Sequence, residues 1–217
     1  MTVASTDAFS FIQEITDHVR SFNDPVLEKS SGLGWVLCSE MPYGNFKSII
    51  TENDASEIDR VLTDYYLDKI KIITDKCVAS CADISPYIKG LMEDFSLCIE
   101  EKRYHICLPA GFALIEAILI PSNNYERQKI RYFNALKAKS LDDSLTLKVI
   151  PYRSMMYFIA ETFQQTDFNL SDPKKLNRHW SQHGRYTSDP EEKFVFQLLG
   201  AIDIALYLYM DMTESVS

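Results

Sequence analysis

One short segment of the chain, residues 176–184, combines two histidines with an arginine and reads LNRHWSQHG. Its reactive side chains are Arg178, His179 and His183. An imidazole has a pKa close to neutrality and can give or take a proton at physiological pH. A guanidinium keeps its positive charge and matches the geometry of a phosphate. These residue types together indicate metal-free chemistry on a phosphodiester.

The spacing of these residues determines which of them share a helix face. Five steps along a regular helix turn about 500°, so Arg178 and His183 would lie about 140° apart. His179 and His183 are four residues apart and would share one face. Gly184 is the residue type that commonly follows the last turn of a helix. We therefore expect the imidazole of His183 at a helix end, beside a cleft.

The elements that must position this segment are predicted to be helices. Asp172-Pro173 predicts the start of a helix that carries the segment to Gly184, and Asp189-Pro190 predicts the start of the last helix. Apolar spacing and capping residues predict further helices over about 6–19, 54–81, 86–99, 110–120 and 151–165, with an interruption at Pro109.

The N-terminal quarter of the chain has a different composition. Residues 23–52 contain Pro25, Gly32, Gly34, Pro42 and Gly44, which predicts an irregular connection or a small hairpin. The expected organisation is a helix and irregular connection over 1–52, followed by a helical bundle over 53–217. The predicted fold class is an all-α helical bundle with an irregular N-terminal segment.

The composition limits the classes of protein that fit. The chain has 217 residues, of which 46% are apolar, enough for one sizeable core. The net charge of −9 gives no overall attraction to nucleic acid, so RNA binding would need a local basic patch. The five cysteines lack a metal-binding spacing and are expected to be reduced and buried. No apolar run reaches the length of a membrane span of about 20 residues, which favours a cytoplasmic protein without membrane contact.

The pattern N-R-H-x-x-x-H-G, formed by Asn177, Arg178, His179, His183 and Gly184, resembles a bacterial variant of the R-x-x-x-x-H motif of the HEPN superfamily (higher eukaryotes and prokaryotes nucleotide-binding domains). His179 stands where ribonuclease members commonly have a polar residue. The upstream segment 104–109, followed by Ile115-Glu116, also looks like a segment that precedes the motif in such proteins. The likeness covers roughly residues 60 to 210.

This resemblance implies an HEPN-like bundle and a metal-independent endoribonuclease without cofactor, a toxin or defence effector with RNA as substrate. His183 would act as general base or acid, and Arg178 would stabilise charge on the phosphoryl oxygens. His179 would be a polar support that orients His183 or contacts the phosphate. The family also implies a homodimer with a composite cleft, and an antitoxin protein as partner. The expected substrate-binding residues are Asn177, within the pattern, and Arg185, Lys174 and Lys175, which flank it.

Other interpretations of the same residues remain open. The protein is alternatively a non-catalytic helical dimer that binds a protein or nucleotide partner, or a scaffold whose histidines only pack. Glu116 and Asp203 are acids in apolar helices, where a charge needs a partner. Each is expected to form a structural pair, to be partly exposed, or to orient Arg178 or a histidine. The basic run 125–139 is a solvated helix face or an RNA contact.

Overall fold

The computed structural model describes residues 17–20, 24–119, 136, 139–141, 148–164 and 174–214. Throughout these residues the regular structure is helical, without strands, which confirms the predicted all-α helical bundle. Most of the predicted first helix and most of the basic run 125–139 lie outside the described residues. The helices are α1 (Pro25–Gly32), α2 (Tyr43–Glu52), α3 (Ala55–Ala82), α4 (Pro86–Glu100), α5 (Tyr104–Leu119), α6 (Val149–Thr162), α7 (Arg178–Gln182) and α8 (Glu192–Glu214).

Helix α8 forms the centre of the bundle. It packs against α3, α5 and α6, and every residue from 194 to 206 is buried. The helix is long and apolar enough to cross a membrane by length and composition alone. However, 78% of its most apolar window is buried against the rest of the fold. Because a core helix has the same composition, this helix is only weak evidence for a membrane span.

The starts of α3 and α4 follow the sequence prediction. The side chain of Asp54 accepts a hydrogen bond from the backbone N–H of Glu57 at 3.0 Å, and Ser85 accepts one from Ile88 at 3.1 Å. Each cap satisfies an N–H that has no partner inside its helix. On α3, Tyr66 is buried in the core, whereas Ile72 is 58% exposed.

The N-terminal segment is more regular than its composition predicts. The predicted hairpin is wrong, because α1 and α2 are helical, and Asp24 caps α1 by accepting a hydrogen bond from Leu27 N–H at 3.2 Å. Proline is compatible with the first turn of a helix, so Pro25 starts α1 rather than breaking it. The stretch between these helices is irregular, and its Trp35 Nε1 donates to Asp59 Oδ1 at 2.8 Å. Residues of both parts belong to one apolar core.

Helix α5 packs both in this core and against α7, the helix within the segment 176–184. The predicted interruption at Pro109 is wrong, because the helix begins at Tyr104 and continues through the proline. A proline this near the start of a helix removes only one backbone hydrogen bond, and burial of the apolar residues that follow outweighs that loss. Gly111 lets α5 approach α8 closely, since a Cβ there would lie 2.9 Å from Leu198 Cδ1. Helix α7 packs against α5.

Candidate functional site

Within the segment 176–184, only the five residues of α7 are helical, so this helix is much shorter than predicted. The start predicted at Asp172-Pro173 is wrong, because Asn177 is an extended N-cap and Arg178 is the first helical residue. The Asn177 side chain accepts a hydrogen bond from Trp180 N–H and donates one to Gln164 O, both at 3.0 Å. Asparagine prefers this capping role to a helix interior because its side chain competes for backbone hydrogen bonds.

The end of α7 at Gly184 confirms the sequence prediction. His183 is the C-cap, and Gly184 adopts the left-handed conformation with φ +60°. Gly184 N–H donates to Ser181 O at 3.2 Å, and Arg185 N–H donates to Trp180 O at 3.0 Å. These two bonds form a Schellman motif, which satisfies the last carbonyls of the helix. The side chain of His183 is exposed at this helix end.

Arg178 is held by two groups from different helices. Its Nε donates a hydrogen bond to Glu116 Oε1 on α5, and its guanidinium lies 5.3 Å from the centre of the Phe163 ring. The Arg178 side chain is 30% exposed. Its terminal nitrogens make no other hydrogen bond to the described residues, and so they are available to an anion. Glu116 is thus partly exposed and paired with Arg178, and the pair holds the guanidinium in one orientation.

The two histidines form a ring pair on the other side of α7. Their ring centroids are 4.7 Å apart, and the rings meet edge to face at 71°. His179 is half-buried and His183 is exposed. Burial lowers the pKa of His179, and its electrostatic interactions with His183 and Arg178 lower it further. His179 is therefore neutral at physiological pH.

The segment that surrounds α7 is locally positive. Residues 174–188 contain four Lys and Arg residues and no carboxylate, in a chain with a net charge of −9. Lys174, Lys175 and Arg185 are exposed, and Lys175 Nζ lies 3.9 Å from Glu161 Oε2. Their contact with RNA stays a prediction. Asn177 was also expected to contact substrate, but it is only 5% exposed and its side chain caps α7. We therefore assign it a role in positioning Arg178.

A groove of about 510 Å³ lies between the N-terminal half of α5 and the loop that follows α7. Its lining does not include Arg178, His179 or His183, so a single chain does not bring the guanidinium and the imidazole of the motif together in this groove. The groove is lined by His105, Leu108, Pro109, Ser181, Gly184, Tyr186, Thr187, Ser188, Asp189 and Pro190. Sequence reasoning did not identify these residues as a group, because residues about 75 positions apart line the two walls.

Asp203 serves a different purpose from Glu116. It is 2% exposed on α8, and its carboxylate accepts hydrogen bonds from Ser39 N–H at 2.9 Å and Ser39 Oγ at 2.8 Å. Lys76 Nζ lies 3.4 Å from the same carboxylate. Asp203 therefore anchors the irregular segment to the core and makes no contact with Arg178 or the histidines.

Comparisons with known protein families, with curated proteins and with solved structures found no match for this chain. The class defined by the observations is therefore an all-α helical bundle. Its distinguishing feature is a short, positively charged helix that presents an arginine and two histidines. Among the described residues, no group of three or more His, Cys, Asp or Glu side chains forms a metal-binding cluster.

Proposed function

We propose that the protein is a metal-independent endoribonuclease of HEPN type. The observation that carries this proposal is the arrangement on α7, where a half-buried guanidinium is fixed by Glu116 and an exposed imidazole meets a neutral one edge to face. An oriented arginine stabilises charge that develops on a phosphoryl group. An exposed imidazole transfers protons at neutral pH. Burial of both histidines would have favoured a purely structural role, and His183 is exposed.

The proposed reaction is an internal transfer at phosphorus. The imidazole of His183 accepts the proton of the 2′-hydroxyl as its oxygen forms a bond to the adjacent phosphorus. The bond from phosphorus to the 5′-oxygen breaks, and that oxygen takes up a proton from water. Arg178 stabilises the charge on the non-bridging oxygens. The products are a 2′,3′-cyclic phosphate and a 5′-hydroxyl. A neutral His179 allows His183 to become protonated without a second positive ring beside it.

We propose that the active form of the protein is a homodimer. Arg178 contacts Glu116 and Phe163, whereas His183 lies against His179, so the two groups face different surroundings within one chain. A two-fold axis beside α7 would place the arginine of one copy opposite the histidine of the other. Mixing inactive Arg178→Ala and His183→Ala proteins would then restore about a quarter of the wild-type activity after random subunit exchange. A mixture that stays inactive while the subunits exchange would contradict a composite site.

A second candidate is a non-catalytic protein that binds a protein or nucleotide partner. The observation that favours it is the groove beside α7, whose lining excludes Arg178 and His183. This candidate predicts that the purified protein leaves RNA intact and forms a complex of larger size with its partner.

Incubation of total RNA with the protein and excess EDTA tests the first candidate. We expect cleavage by the wild type, and a loss of about 100-fold or more for Arg178→Ala and for His183→Ala. Arg60→Ala and His18→Ala are matched controls that should cleave normally, and circular dichroism checks that each variant is folded. Cleavage by folded His183→Ala at the wild-type rate would remove this residue from the mechanism.

The proposed biological setting is that of a cytoplasmic toxin or defence effector with an antitoxin partner. The five cysteines are free and buried, which is compatible with a reducing compartment. Expression of the wild type should slow the growth of host cells, and expression of His183→Ala should not. Equal growth with both proteins at equal expression would contradict a toxin role.

A further inference from the structure

The two histidines at α7 lie one helical turn apart and in contact with each other. His183 N–H donates a hydrogen bond to His179 O at 3.3 Å, so the backbone holds the pair at the i, i+4 spacing of a helix. Two histidines with this spacing on one helix are a common pair of zinc ligands. His183 is exposed and His179 is half-buried. The pair is therefore accessible from solvent and is held in place by the fold.

The distance between the two rings fits a single metal ion. A zinc ion binds an imidazole nitrogen at about 2.0–2.1 Å. Two imidazoles in adjacent positions around one such ion therefore have ring centroids about 4.5–5 Å apart. The centroids of His179 and His183 are 4.7 Å apart, which lies in that range. The interplanar angle of 71° is compatible with such a site, because each ring can turn about its own bond to the metal.

The surroundings of the pair select the class of ion. Imidazole nitrogen suits Cu²⁺, Ni²⁺ and Zn²⁺, whereas Mg²⁺ and Ca²⁺ prefer oxygen ligands. The segment 174–188 contains four Lys and Arg residues and no carboxylate, so it repels a cation that is held by charge alone. With two protein ligands, a transition-metal ion keeps water in its remaining positions, as in open sites rather than in closed structural ones.

We propose that His179 and His183 bind one divalent transition-metal ion, Cu²⁺ or Zn²⁺, and that the bound ion inhibits the protein. The inhibition rests on the proposed function, in which His183 accepts the proton of the 2′-hydroxyl. A neutral imidazole has one nitrogen with a free lone pair, and the metal ion occupies that nitrogen. The ring of His183 then has no acceptor for the proton, so the metal-bound protein does not cleave RNA.

Calorimetric titration of the full-length protein with ZnCl₂ and with CuCl₂ measures binding independently of activity. We expect a single ion per chain, tighter binding of Cu²⁺ than of Zn²⁺, and no binding of Mg²⁺. His179→Gln and His183→Gln should each weaken Zn²⁺ binding at least about 10-fold, because each removes one of two protein ligands. His18→Gln is the matched control and should bind Zn²⁺ as the wild type does, since the His18 ring contacts Ser140 instead.

NMR of backbone amides locates the bound ion without any substitution. Cu²⁺ is paramagnetic, and at low concentration it should broaden the amide signals of α7 in the wild type before those of other helices. Broadening that is centred elsewhere, or equal Zn²⁺ affinities for folded His183→Gln and the wild type, would overturn the proposed site.

Cleavage assays separate the metal site from the proposed function. In the wild type, Zn²⁺ should slow RNA cleavage over the concentrations that fill the site, and EDTA should restore the rate. The residual cleavage by His179→Gln should need at least about 10-fold more Zn²⁺ for half-inhibition. Zinc binding to the pair in a protein that leaves RNA intact supports the metal site and contradicts both the nuclease and its inhibition. Cleavage at the full rate with the site occupied overturns the inhibition.

Discussion

Glu116 on α5 accepts a hydrogen bond from Nε of Arg178, the first residue of α7. The pair joins residues 62 positions apart in the chain and fixes the orientation of the guanidinium. Gln182, one turn further along α7, places its Nε2 3.5 Å from the same carboxylate oxygen. Because the bond uses Nε, the terminal nitrogens of Arg178 remain available for two parallel hydrogen bonds to a phosphate. In this account Glu116 is a positioning residue and Arg178 is a catalytic one.

Removal of the Glu116 carboxylate should lower the rate of RNA cleavage more than the affinity for RNA. We expect Glu116→Ala to reduce kcat about 10-fold with little change in KM, because the guanidinium loses its orientation. Glu116→Gln keeps an acceptor for Nε and should retain most of the activity. The cost to stability should be small, roughly 0.5–1 kcal/mol, as is usual for a partly exposed ion pair.

Steady-state kinetics on a short RNA, with Glu93→Ala as the control, measure this effect. Glu93 forms a surface pair with Lys89 and should be neutral for activity. Equal kcat values for Glu116→Ala and wild type would show that the pair is only structural.

Loss of the Asn177 side chain should destabilise the protein. Asn177→Ala removes the cap on α7 and the hydrogen bond to Gln164 O, and we expect a loss of about 1–2 kcal/mol in the free energy of unfolding. Asn177→Asp keeps the acceptor for Trp180 N–H and loses only the donor, so its loss should be smaller. Urea unfolding measures both. Unchanged midpoints for both variants would mean that the cap contributes nothing to folding.

Two glycine substitutions should have opposite effects. Gly184→Ala places a Cβ in open space but at φ +60°, and should destabilise the protein by about 1 kcal/mol through backbone strain alone. Gly90→Ala lies inside α4, also in open space and without a positive φ, and should stabilise it by about 0.5–1 kcal/mol. Thermal unfolding of both variants checks the prediction, and destabilisation by Gly90→Ala would contradict it.

The stability of the protein should fall on acidification because of His179. Its pKa in the folded protein lies below the usual value near 6.5, so below that pH the unfolded chain binds more protons than the folded one. This destabilisation begins as the pH falls through about 6.5 and is complete below the folded pKa, whereas at higher pH the ring is neutral in both states.

Urea unfolding of wild type and His179→Gln at a series of pH values between 8 and 5 measures this contribution, since glutamine does not titrate in that range. We expect a shallower loss of stability in the variant, and His18→Gln serves as a histidine control. Identical pH dependences for His179→Gln and wild type would contradict the assignment.

Local sequence signals predicted the bounds of α3 and α4 and the end of α7. Asp54 and Ser85 cap helices that were predicted to begin at about residues 54 and 86, and Gly184 follows the end of α7, because capping depends on a few adjacent residues. Local signals gave wrong predictions where one residue type is compatible with two structures, as proline is with a helix start and with a helix interruption. Pro109 lies within a helix instead of interrupting one, and Pro25 starts a helix in a segment predicted to be irregular.

The contacts between distant residues in the candidate site were only partly predictable from the sequence. The sequence identified Arg178, His179 and His183, and it indicated that Glu116 needs a distant partner, because a charge in an apolar helix is costly when unpaired. It did not identify the partner uniquely. The groove beside α7 carries no signal in the sequence, since its two walls come from residues about 75 positions apart.

The most direct test of the central claim is the chemistry of the RNA ends. We expect the protein to cut RNA in excess EDTA and to leave 2′,3′-cyclic phosphate and 5′-hydroxyl ends, and we expect folded His183→Ala and Arg178→Ala proteins to leave the same RNA whole. Intact RNA with the wild-type protein, 5′-phosphate ends, or cleavage that EDTA abolishes would each contradict it.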